Sequence, residues 1–409
     1  MWGADALWIE LLLIGAGIFN RWRSVPPALL LLYGVALHAY REKETALLAF
    51  SSAAVEIGSL FSLLTALLWG IYPLRGAASW ALLLQLGSYT LLLRSRNLAF
   101  TWSLMESAAI SGYFFVANAG AAPQKWNAAL RYFTWSVVGS ALILLSLSLR
   151  LSEGLSITYP LSGGKRLADT LLSLGWAVKV GLIPWHFWLM GIYRSLAAAW
   201  GGWFFVVPKG ALLLNLLSAL SPQGLNLYAF YMLGAISLVS AYALAWQAQN
   251  PVEMIFWGSF AQGAYAVLAA TTEGIQAAQD FWLVYSIAGI LGLLYVEKPW
   301  RGRWGWSVGV LLLANLAALP PVLGFWVKLQ LFWVGIAYLP KEVSLPLVGA
   351  AIIATLGGFA VYGKILWRLW SEKEASPLPA WRKVLYVIGA GGLFGLGLGG
   401  IGKWMKGIF

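Results

Sequence analysis

Runs of about 20 apolar residues, repeated along the whole chain, constrain this sequence more than any single motif. A helix needs a run of about that length to cross the hydrocarbon core of a bilayer. The first seven windows fall at roughly 5–20, 25–40, 52–72, 77–95, 98–118, 127–150 and 168–193. The rest fall at roughly 202–220, 226–247, 251–270, 279–296, 306–337, 344–371 and 383–403. These are about fourteen candidate transmembrane helices.

Composition supports a lipid solvent. Of 409 residues, 60% are apolar and 10% are charged, against about 25% charged in soluble domains. An ordinary soluble enzyme is excluded, and so is a disordered chain, which needs the opposite balance. Only short polar stretches separate the windows, the longest at 151–169. The chain therefore reads as one all-α polytopic membrane domain over 1–409. Its parts are N-terminal helices (1–76), a first repeat (77–220), a second repeat (226–371) and a C-terminal helix (383–409).

The net charge is +12. The basic residues sit between apolar runs, as membrane anchors do, and form no single basic face, so lipid rather than nucleic acid is the expected contact. The 25 tryptophans are too many for interfacial belts alone, and many must pack inside the bundle. Cysteine is absent, which excludes disulfides, iron–sulfur clusters and thiolate metal sites. Two histidines, His38 and His186, cannot build a histidine-rich metal or haem site. No metal and no redox cofactor is expected on this chain.

Charges inside spans are costly and mark function by default. Five stand out: Glu56, Glu106, Lys179, Lys209 and Lys328. Any one of them could be a snorkelling or ion-paired structural residue, and Glu56, near the start of its span, is read that way. Acids and lysines buried together fit a proton relay. Loss of water disfavours a charged lysine and a nearby carboxylate favours it, so moving the carboxylate switches the lysine between loaded and empty. Lys364, near the end of the thirteenth span, is a further candidate as an exit group.

Two spans are interrupted by proline. Pro184 sits within the seventh, and Pro320 and Pro321 within the twelfth. Each proline frees backbone polar groups, which a membrane tolerates only inside protein or along a wet path. Lys179 lies five residues before Pro184, and Lys328 seven after Pro321. The breaks are five spans apart, so spans 4–8 and 9–13 form two five-helix repeats. An odd number of helices per repeat inverts the second, an arrangement found in transporters. His186, next to the first break, titrates near physiological pH and could link Lys179 to the next site. Gly397 to Gly402 match GxGxxG, but no strand precedes them, so helix packing is the better reading.

Several stretches resemble the antiporter-like membrane-arm subunits of respiratory complex I. Within that family, the similarity is to the subunit 2 branch of the NADH dehydrogenases. Met105-Glu106-Ser107 stands where the family has its fifth-helix glutamate. Asn127-Ala128-Ala129-Leu130-Arg131-Tyr132-Phe133 resembles "EAALKYF", with Asn127 in place of the acid. Lys179 through Trp188 resembles "K-x-x-x-x-P-F-H-F-W". Leu319 through Lys328 resembles "G-I/L-P-P-x-x-G-F-x-x-K". Ser259 through Tyr265 resembles "SSIAHxGY", with Gln262 replacing the usual histidine.

The resemblance implies a proton channel coupled to quinone reduction. It implies Glu106 and Lys179 as a coupled input pair, Lys209 as the connection between halves, and Lys328 as the terminal group. It places NADH, FMN, Fe–S clusters and ubiquinone in partner subunits. The expected partners are other membrane-arm subunits, including neighbouring antiporter-like ones. The mitochondrial inner membrane is the expected location, with a bacterial plasma membrane as the alternative. A Mrp-type cation/proton antiporter or hydrogenase-arm subunit shares the same residues, and a non-pumping membrane spacer is the third reading.

Overall fold

A computed structural model describes residues 52–408, except 75, 121–122, 165, 221–226, 272, 301 and 372–377. The windows at 5–20 and 25–40 lie outside the described residues. The described residues form fourteen α-helices and one 3-10 turn. The first seven are α1 (Ser52–Ile71), α2 (Ala77–Leu92), α3 (Leu98–Ala119), α4 (Lys125–Ser152), α5 (Arg166–Val180), α6 (Phe187–Ser195) and α7 (Ala198–Ala219). Then come α8 (Tyr228–Gln247), α9 (Pro251–Tyr265), the 3-10 turn Ala266–Ala269, α10 (Ile275–Glu297), α11 (Arg303–Ala317), α12 (Leu323–Tyr338), α13 (Lys341–Ser371) and α14 (Ala380–Ile408).

Each window from 52 onward falls on these helices, and the windows holding Pro184 and Pro320-Pro321 fall on two helices each, while those holding Pro208 and Pro346 fall on one. Among the described residues, five helices are each long and apolar enough to cross a membrane: α4, α7, α8, α10 and α13. The broken windows yield pieces of 15 and 9 residues, then 15 and 16. A single piece of that length falls short of the roughly 20 residues a span needs.

Both breaks have a local cause in the chain. At the first, Gly181 has φ 77°, a left-handed conformation that only glycine adopts freely. The Gly181 and Leu182 N–H groups both donate back to the Ala177 carbonyl, at 3.0 and 2.9 Å, and close the end of α5. Pro184 follows, and the helix resumes at Phe187. At the second break, Ala318 takes the left-handed conformation and the Leu319 N–H donates to the Ala314 carbonyl at 3.0 Å. The Asn315 side chain then accepts from the Gly324 N–H at 3.1 Å, so α11 caps the start of α12. These bonds take up backbone polar groups at the helix ends flanking each break, and the Leu316 carbonyl, four residues before Pro320, accepts from the Gln262 side chain.

The described residues up to Leu233 form one compact unit and those from Gly234 another. In the first, α3 packs on α2 and α4, α4 on α5 and α6, and α7 on α2 and α5. Its core holds Trp176 and Trp203 fully buried. Trp176 donates to the Leu212 carbonyl at 3.1 Å and Trp203 to Thr65 Oγ1 at 2.7 Å, so neither indole N–H is stranded.

In the second unit α10 packs on α9, α11 and α12, and α14 packs on α11 and α12. A Cβ on Gly397 would lie 2.5 Å from the Pro321 carbonyl. The GxGxxG stretch therefore runs inside α14, where Gly397 lets the helix sit on the break. Trp282 is buried here, while Trp304 and Trp367 are 79% and 74% exposed. Tryptophan thus divides between core and surface, as its abundance suggested.

Candidate functional site

The first unit brings α4 and α5 unusually close. A Cβ on Gly175 would lie 2.5 Å from Ile143 Cγ1 and 2.9 Å from the Gly139 carbonyl. A Cβ on Gly139 would in turn meet Lys179 Cγ at 2.9 Å. Small residues at such a seam let backbones approach where lipid gives no hydrophobic drive. The approach sets Lys179, on the last turn of α5, against two serines of α4.

Lys179 Nζ donates to Ser136 Oγ at 2.9 Å and to Glu106 Oε1 at 3.3 Å. Ser140, one turn beyond Ser136, donates to the same Glu106 oxygen. Glu106 comes from α3, so three helices build the pair. The lysine side chain is 4% exposed and the glutamate 25%. The ammonium is sealed while the carboxylate keeps an open edge. Sequence reasoning singled out Glu106 and Lys179 but missed Ser136 and Ser140. The signal was present: two serines at i and i+4 in an apolar helix share one face.

Lys209 follows Pro208 inside α7 and is 2% exposed. Its Nζ lies 5.2 Å from the centroid of the Phe205 ring. Lys179, Lys209 and Ser136 line one cavity of about 20 Å³ with Tyr132, Trp188 and Phe204. That is room for about one water, which needs roughly 10–15 Å³ on this measure. Lys179 and Lys209 thus border one small space, with Glu106 on the far side of Lys179. His186 is half-buried at the break, hydrogen-bonded to the backbone at Pro184 and within electrostatic range of Lys209.

Lys328, on α12 just after the second break, is 2% exposed. Among the described residues its ammonium has no hydrogen-bond partner. It lies instead 4.0 Å from the centroid of the Tyr265 ring and 5.4 Å from that of Tyr285. Gln262, one turn before Tyr265, donates to Tyr242 Oη and to the Leu316 carbonyl, both at 3.3 Å. The tyrosines around Lys328 were not anticipated as site residues, because a tyrosine in an apolar run reads as ordinary core.

Two candidates lie apart from these sites. Glu56 is exposed on α1. Lys364 donates to the Trp246 carbonyl and lies 4.6 Å from the Trp246 ring centroid, at the end of α8. A further buried pair, Arg150 to Asp169 at 3.0 Å, ties the end of α4 to the start of α5. No cluster of three or more His, Cys, Asp or Glu suited to a metal occurs among the described residues.

The fold, all-α with two helices broken at proline, is one shared by chains of respiratory membrane complexes and of an Mrp complex. It matches a chain of respiratory complex I from Thermus thermophilus (TM-score 0.77, 21% identity, 96% of each chain covered). It matches a chain of the archaeal membrane-bound sulfane sulfur reductase (TM-score 0.79, 16% identity, 98% of this chain and 95% of that one). It also matches a chain of the Mrp complex from Dietzia (TM-score 0.74, 14% identity, 97% and 94%).

In sequence the chain resembles one member in particular, NADH-quinone oxidoreductase subunit N. It is 24% identical to that subunit of Acidithiobacillus ferrooxidans over 370 residues, 80% of this chain and 74% of the relative. It is 27% identical to that of Syntrophotalea carbinolica over 325 residues, 70% and 69%. No protein-family model matches the chain. The protein is a membrane protein, and these relatives are bacterial. The mitochondrial inner membrane expected from the sequence finds no support among them.

Proposed function

We propose that this chain is a proton-translocating membrane-arm subunit of an NADH:quinone oxidoreductase in a bacterial plasma membrane. Neighbouring antiporter-like subunits are its partners, and NADH, FMN, Fe–S clusters and quinone bind elsewhere in that complex. The observation that carries the reading is the buried Glu106–Lys179 contact, opening onto the cavity that Lys179 shares with Lys209. A bare ammonium is costly at low dielectric, and the Glu106 carboxylate with the Ser136 hydroxyl offsets that cost, while Ser140 steadies the carboxylate. If Glu106 swings towards its open edge, Lys179 loses its counter-charge and passes its proton into the cavity towards Lys209. Lys328 serves as the terminal group in the second unit.

The test is Lys179→Ala in the assembled complex, with assembly checked by native gel. Quinone-linked proton pumping and coupled turnover should collapse while the complex stays whole. Unchanged pumping would sink the relay and leave a spacer as the better account. The Mrp match favours a second reading, a cation/proton antiporter, and co-purification decides between them. Flavin and iron–sulfur subunits should come down with the chain if the oxidoreductase reading is right.

A further inference from the structure

Lys328 is held differently from Lys179, and the difference points to residues that no relay motif contains. The inference rests on the reading that Lys328 carries protons. Its ammonium faces rings, not hydroxyls. The Tyr265 hydroxyl points elsewhere, to Thr355 Oγ1 at 2.7 Å and the Ala351 carbonyl at 3.1 Å. The Tyr285 hydroxyl reaches the Gly324 carbonyl at 3.4 Å. Neighbouring rings also brace the pair: Phe281 lies 4.4 Å from Tyr285 and 6.3 Å from Tyr265, centroid to centroid. Tyr265 is itself fully buried. The hydroxyls thus anchor the rings, and the faces are turned to the cation.

We propose that Tyr265 and Tyr285 form an aromatic cage that holds the Lys328 ammonium where the first unit uses a carboxylate, with Tyr265 as the principal positioning residue. A ring face is negative by its quadrupole yet carries no net charge. The site therefore cycles between +1 and 0 as the proton comes and goes. The Glu106–Lys179 pair cycles between 0 and −1. Lys328 can give up its proton without leaving an orphaned carboxylate behind. Gln262, neutral at one turn from Tyr265, keeps the cage free of a competing charge.

The experiment uses the whole complex with three kinds of change at one position. Tyr265→Phe keeps the face and loses the hydroxyl. Tyr265→Leu loses both. Progressively fluorinated phenylalanines at 265 keep the ring's shape and weaken its negative face. Quinone-linked proton pumping is read after native-gel confirmation of assembly.

Tyr265→Phe should retain about half of the activity or more, and Tyr265→Leu should lose roughly tenfold or more, the scale of a desolvated cation–π contact. Activity should fall stepwise with fluorination, which a purely structural role would not produce. Equal activity in Phe and Leu, equal loss in both, or a flat fluorine series would each overturn the cage. If Tyr265→Leu fails to assemble, the fluorine series decides alone. Lys328→Ala runs alongside. If it pumps like the parent, the relay reading fails and the cage falls with it. If it is dead while the fluorine series is flat, only the cage is wrong.

Discussion

In the first unit Lys179 meets a carboxylate at 3.3 Å and a serine hydroxyl at 2.9 Å. In the second, Lys328 meets the ring centroids of Tyr265 and Tyr285 at 4.0 and 5.4 Å. Both lysines stand beside a proline break, and both are sealed from outside. The two surroundings answer the same problem, a cation away from water, with different remainders. Removing one member of a buried ion pair costs about 3–5 kcal/mol, because the other charge is stranded. Removing an aromatic face costs about 2 kcal/mol and strands nothing. The first site should be brittle and the second more forgiving.

The largest expected effect follows from that contrast. Glu106→Gln removes the counter-charge and leaves the Lys179 cation only neutral acceptors, Ser136 and the glutamine oxygen. Since the carboxylate is one-quarter exposed, the low end of the range applies, about 3 kcal/mol, or on the order of a hundredfold in coupled turnover. Proton pumping by the assembled variant complex measures it. A loss of under about threefold would erase the distinction between the units.

Ser136→Ala comes next. It deletes one hydrogen bond to a charged group, worth about 1.5 kcal/mol, so turnover should fall about tenfold. Ser136→Thr keeps a hydroxyl on the same face and should stay near the parent. An alanine effect as large as that of Glu106→Gln would shift the first site's working principle from charge to hydroxyl.

Much of this contrast was written in the sequence, and the parts that were not share a physical reason. Pro184, Pro320 and Pro321 mark the breaks because each lacks a helix N–H, though Pro208 and Pro346 stay inside unbroken helices and only the left-handed turns at Gly181 and Ala318 complete the breaks. Glu106, Lys179, Lys209 and Lys328 announce themselves because charge is rare in apolar runs. What surrounds each charge depends on helices far apart in the chain. Ser136 sits 43 residues from Lys179, and its alignment depends on the Gly139–Gly175 seam. Tyr265 and Tyr285 look like core residues until the fold turns their faces to Lys328. The sharing of one cavity by Lys179 and Lys209 rests on α4, α5 and α7 meeting, which no periodicity encodes.

Lys364 tests the outer limit of the comparison, and here the smallest effect is expected. It resembles Lys179 and Lys328 in sequence, a cation within an apolar span. Its Nζ, however, bonds to the Trp246 carbonyl, 118 residues away, and lies against the Trp246 ring. Arg368, one turn on, bonds to the Gln249 backbone carbonyl and, at 3.0 Å, to its side-chain oxygen.

The last carbonyls of α8 have no partner within the helix, and the negative end of the helix dipole lies there. Lys364 meets both needs at Trp246, and Arg368 holds the chain just past the helix at Gln249, which makes Lys364 a clamp on the end of α8. Lys364→Ala should therefore lower stability by about 0.3–1 kcal/mol and leave pumping within about twofold of the parent. Lys364→Arg keeps the charge and should be silent in both readouts. Thermal unfolding of the complex and its pumping rate separate the two roles. If pumping drops tenfold or more, on the scale of a lost charged hydrogen bond, with the melting temperature unmoved, Lys364 is carrying protons and the second unit has a working cation beyond Lys328.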